Sequence, residues 1–74
     1  MEEFAVHLPI KLGQFLKLAS LAENGAEAKT LIAEGYVFVN GEEEKRRSHQ
    51  LVDGDVVSVE DDYGNSVSIK AVEA

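Results

Sequence analysis

The chain has 74 residues, 45% of them hydrophobic, which is enough for one small domain spanning 1–74 with a modest core. It has no cysteine, which excludes disulfides, thiolate metal sites and a cysteine nucleophile. A net charge of −7 argues against a protein coated with cations, but the charge is unevenly placed. All basic residues except Lys70 lie between Lys11 and Arg47, while Glu2, Glu3, Asp53, Asp55, Glu60, Asp61, Asp62 and Glu73 lie outside that block. Any anion-binding surface must therefore be local. The acidic start, with no apolar stretch behind it, is unlike a secretory signal, and no apolar run could span a membrane, so the cytoplasm is the expected location.

Phe4, Val6 and Leu8 alternate with Ala5 and His7, which predicts a strand ended by Pro9. Proline suits a first helical turn, and Leu12, Phe15, Leu16 and Ala19 follow at helical spacing, so a helix is expected over 10–19 with Lys11, Gln14 and Lys17 off its apolar stripe. Asn24 followed by Glu27 reads as a capping box opening a second helix, with Ala28, Leu31 and Ile32 facing inward and Gly35 ending it.

The period then changes to two. Tyr36–Val39 predicts a strand, with Tyr36 and Phe38 on the face the helices cover. Asn40-Gly41 predicts a type I′ turn, because both central positions of that turn need positive φ. The returning strand is expected from Glu42 to about Arg46, as a charged edge. A turn at Asp53-Gly54, a strand at Val56–Val59, a turn at 61–65 and a last strand at Val67–Val72 complete a βααββββ order. The fold class is α+β: a two-helix hairpin packed on one face of a small, mostly antiparallel sheet, with the first strand beside the last.

Few residues offer chemistry. His7 and His49 have no carboxylate or histidine partners at metal or triad spacing, and His49 is expected at most to assist a neighbouring basic patch. Glu42-Glu43-Glu44 on a strand would point alternately to opposite faces, which suits a solvated edge and not a divalent ion. The glycines end elements and form no phosphate loop. No catalytic residue, metal, cofactor or small-molecule substrate is therefore expected. The one basic run is Lys45-Arg46-Arg47, and the helices add Lys11 and Lys29.

Gly35-Tyr36-Val37-Phe38-Val39-Asn40-Gly41 resembles the Gly-x-Val-x-Val-Asn-Gly signature of the S-four RNA-binding domain. Lys11-Leu12-Gly13-Gln14-Phe15-Leu16 is similar to that family's Arg-Leu-Asp-x-x-Leu opening. The segment from Asn24 to Ile32 resembles its Ser-Arg-x-x-Ala-x-x-Leu-Ile helix, and Val52–Val57 its Gly-Asp turn. The family's opening Arg and Asp are Lys11 and Gly13 here, and its helix-two Arg is Gly25. The overall pattern is most similar to short stand-alone bacterial members. The resemblance implies the alpha-L fold and binding of structured RNA of ribosomal or transfer RNA type, with the ribosome as a candidate partner, while the acidic ends and the charged edge strand predict a monomer. It implies RNA-binding roles for Lys11, Lys29, Asn40, Lys45, Arg46 and Arg47. The competing expectation is a protein–protein adaptor using the acidic ends. One contiguous positive patch favours RNA, and cations neutralised by neighbouring glutamates favour the adaptor.

Overall fold

The computed structural model describes all residues, Met1–Ala74. The elements are β1 (Glu2–Val6), β2 (Ile10–Lys11), α1 (Leu12–Leu18), α2 (Gly25–Ala33), β3 (Val37–Val39), β4 (Glu42–Glu43), β5 (Gln50–Leu51), β6 (Val56–Glu60) and β7 (Ser66–Glu73). Five strands form one sheet in the order β1-β7-β6-β3-β4, antiparallel except for the parallel pair β1–β7, and β2 pairs with β5 in a separate ribbon. The expected α+β architecture is present, with the first strand beside the last.

Register decides which residues are buried. Val39, Val57 and Ile69 lie side by side across β3, β6 and β7, and all three are buried. One residue along, Phe38, Ser58 and Ser68 fill the alternate row, where the two serine hydroxyls share a hydrogen bond of 2.8 Å. Against the valine face pack Leu12, Phe15 and Leu16 of α1 and Ala28 and Ile32 of α2. Phe4 of β1 meets Phe15 edge-on, with ring centroids 6.0 Å apart.

Four expectations need correction. Helix one does not begin at residue 10: Lys11 is extended (φ −70°, ψ 141°), and Ile10 and Lys11 pair with Leu51 and Gln50 instead. The returning strand ends at Glu43, because the chain turns back after it to deliver fully buried Leu51 to the core. The buried face of β3 carries Val37 and Val39, not Tyr36 and Phe38. Tyr36 lies before the strand and donates its hydroxyl to Asp62 at 2.5 Å. Leu31 packs at the edge of the core and remains only partly buried.

The predicted turn chemistry holds at Asn40-Gly41, where φ is 52° and 84°. The Asn24 Oδ1 accepts the Glu27 amide at 2.8 Å, while Glu27 reaches one residue further back than a capping box requires, to the Glu23 amide. Both helices end alike. Gly35 N–H donates to the Ile32 carbonyl and Tyr36 N–H to that of Leu31, a Schellman closure with Gly35 at φ 85°. Ser20 and Leu21 donate to Lys17 and Leu16 in the same pattern, but the left-handed residue there is Ser20, at φ 62°.

Candidate nucleic-acid interface

Helix α1 has no side-chain cap, so its first amides must find acceptors elsewhere. They find them in the basic loop: Leu12 N–H donates to the His49 carbonyl at 2.8 Å and Gly13 N–H to that of Arg47 at 3.1 Å. These two bonds, with the Leu51 anchor, hold the 46–49 loop against the first turn of α1. Arg47 is thereby carried to the helical face that presents Lys11, Gln14 and Lys17.

Helix α2 closes the other side. Gly25 and Lys29 are one turn apart and face the same way, so the two helices and the loop enclose a concavity of about 380 Å³. Lys11, Lys17, Lys29 and Arg47 line it together with Gln14 and Ser48, and no carboxylate or apolar side chain takes part. None of the four cations has a carboxylate within ion-pair distance. Four positive charges without a carboxylate partner therefore surround one hollow on a chain of net charge −7.

The remaining predicted residues lie apart from this hollow. Arg46 is held by Glu44: its Nε donates to Oε2 at 3.0 Å, its Nη2 to Oε1 at 3.1 Å, and its backbone amide to Oε2 at 3.0 Å. These hydrogen bonds, the guanidinium first among them, pull the Glu44 carboxyl down to about 2. His49 Nδ1 lies 3.3 Å from Glu44 Oε1, so its ring faces this pair and does not join the basic hollow. Lys45 lies 4.0 Å from Glu43. Asn40 is occupied structurally, donating to Asp55 Oδ1 and accepting from the Val56 amide, each at 2.9 Å.

Sequence reasoning thus brought Lys11, Lys29 and Arg47 to one place and overlooked Lys17. The signal for Lys17 was present: it stands three residues after Gln14 and six after Lys11, on the polar side of the same helical stretch. Four cations thus line one hollow, while Arg46 is paired with Glu44 and Lys45 lies near Glu43 outside it.

The S4 domain family model matches residues 7–70. The chain is 49% identical over 51 residues to the probable ribosome maturation protein RlbA of Bacillus subtilis, covering 69% of this chain and 72% of that protein. It is 42% identical over 65 residues to the putative RNA-binding protein YbcJ of Escherichia coli, covering 88% and 89%. The solution structure of Escherichia coli YbcJ, described as revealing an alpha-L motif involved in RNA-binding, superposes with a TM-score of 0.59 at 38% identity, covering 95% of this chain and 85% of that one.

Proposed function

The chain belongs to the S4 domain family, and from that premise we propose that it is a non-catalytic RNA-binding protein that grips structured RNA in the hollow between α1, α2 and the 46–49 loop. The observation that carries this reading is the convergence of Lys11, Lys17, Lys29 and Arg47 on one concavity without a carboxylate. Cationic side chains on a curved surface suit RNA read by shape and backbone, because the A-form major groove is too narrow for side chains to enter. No aromatic side chain lines the hollow to stack a splayed base, so discrimination comes from RNA shape. Lys45, Arg46 and Asn40 lie outside the hollow and are not assigned to the RNA contact. The RNA is of ribosomal or transfer RNA type, and the name of the relative RlbA, a probable ribosome maturation protein, supports the ribosomal choice. The protein works as a monomer in the cytoplasm, and no helix is long and apolar enough to cross a membrane.

The test is a gel-shift or anisotropy titration against a folded RNA hairpin and an unpaired strand of the same length. Lys17→Glu with Lys29→Glu should abolish preferential hairpin binding, while Lys70→Glu, on β7 and outside the hollow, should leave it nearly unchanged. Equal losses from both variants would reduce the interaction to diffuse charge. A gain-of-function arm is also available. A Cβ at Gly25 meets nothing within 4 Å, so Gly25→Arg adds a fifth cation to the rim without a clash and should tighten binding.

A further inference from the structure

Helix α2 also presents a second side to a surface groove. Glu27 and Leu31 are one turn apart and lie about 200° around the helix from Gly25 and Lys29. They face a different groove of about 560 Å³, between the end of the helical hairpin and the 60–65 turn. Its floor is apolar, formed by Leu21, Leu31, Val59 and Val67, with Tyr36 and Tyr63 beside them. Tyr63 is 90% exposed and Val67 51%, so this apolar surface is open to water. Glu27, Glu60, Asp61 and Asp62 rim it, and no lysine, arginine or histidine nitrogen lies within 4.0 Å of any of them.

We infer that this groove is a docking site for a basic segment of a partner protein, its apolar side chains seated on Leu21, Leu31, Val59 and Val67 and its lysines or arginines on the four carboxylates. Charge complementarity selects the occupant. A nucleic acid is repelled by a rim of four anions, whereas a basic peptide is attracted and gains from burying the open apolar floor. The volume fits a few side chains of a short segment and not a folded domain. The two sites use opposite sides of one helix, so RNA in the basic hollow does not obstruct the groove. This surface stands on its own observations and does not require the RNA reading to hold.

The experiment uses the full chain and three synthetic labelled peptides of about 12 residues, read by fluorescence anisotropy: Lys/Arg alternating with Leu/Phe, the same cations alternating with Ser, and Glu alternating with Leu/Phe. The first should bind, at least tenfold more tightly than the other two. Tyr63→Ala and Glu60→Lys, both at exposed positions, should each weaken it severalfold, while Lys17→Glu/Lys29→Glu should leave it unweakened. Chemical-shift perturbation should map to 59–67 and the 27/31 side of α2. Equal binding of the Lys/Arg-Ser peptide, or equal loss from Glu2→Lys/Glu3→Lys, would reduce the effect to net charge and overturn the proposal. So would the absence of binding at millimolar peptide, or self-association abolished by Tyr63→Ala, which would make a second copy the occupant.

Discussion

The backbones of Gly13 and Arg47 are joined by a 3.1 Å hydrogen bond, the glycine amide donating to the arginine carbonyl across more than thirty residues of sequence. The first turn of α1 and the basic loop are therefore one unit. A Cβ at Gly13 would sit 3.5 Å from the Arg47 Cβ, an ordinary contact, so a side chain there is tolerated and lies beside the arginine. Gly13→Asp should have opposed effects. It replaces a helical glycine and adds an anion at a helix N-terminus that has none, raising stability by about 0.5–1 kcal/mol. It also supplies Arg47 with a carboxylate, so RNA affinity should fall. Thermal denaturation and an RNA titration on the same preparation check both signs.

Adjacent arginines should behave differently. Arg47 lines the hollow unpaired, whereas Arg46 is held bidentate by Glu44. Arg47→Gln should therefore reduce the log–log salt dependence of RNA binding by about 0.7–0.9, the loss of one phosphate contact, and Arg46→Gln by much less. Titrations at several salt concentrations separate the two, and equal slopes would place Arg46 on the RNA.

The Glu44–Arg46–His49 cluster predicts a pH signature. The Glu44 carboxyl titrates at about 2 in the folded chain against an ordinary 4.5, so the folded state favours its ionised form. The stabilisation is full above about 4.5 and is lost as pH falls through about 2. Because the Arg46 side chain is 71% exposed, screening keeps its size to about 1 kcal/mol. Glu44→Gln should lose that amount at neutral pH, with the gap to the parent narrowing as acid is added. Side-chain carboxyl NMR should put the Glu44 midpoint well below 4.5.

Ser20 holds a left-handed conformation at φ 62° in the position where α2 uses Gly35. An L-residue in that region carries a penalty of roughly 1 kcal/mol that glycine does not. Glycine's extra freedom in the unfolded chain offsets about 0.4–1 kcal/mol of this, so Ser20→Gly should raise stability by no more than about 0.5 kcal/mol in urea unfolding.

Much of this architecture was legible because local chemistry and global fold agree. Asn40-Gly41, Asn24 as a helix cap, and Gly35 each demand a particular backbone geometry, and each has it. The short β2–β5 ribbon was not legible. Ile10 and Lys11 fit the helical period as well as Leu12 does, and only the arrival of Gln50 and Leu51 makes them extended. The burial phase of β3 was ambiguous for a related reason. Tyr36, Val37, Phe38 and Val39 are all apolar, so alternation gives no sign of the inner face until Val57 and Ile69 set the register. The basic hollow was half visible. Charge and order marked Lys11, Lys29 and Arg47, but two backbone bonds decide that Arg47 and not Arg46 enters it.

The parallel pairing of β1 with β7, Glu2 opposite Ile69 and Val6 opposite Glu73, has a consequence for folding. The helical hairpin, the β3–β4 hairpin and the β6–β7 hairpin close short loops, whereas β1 pairs with the far end of the chain and bears the greatest loop-closure entropy. On that account β1 should dock last and detach first, which native-state hydrogen exchange of its amides would report. Until it docks, β7 presents an unprotected edge of eight residues, and the acidic pair Glu2-Glu3 on the arriving strand discourages a second chain from taking its place.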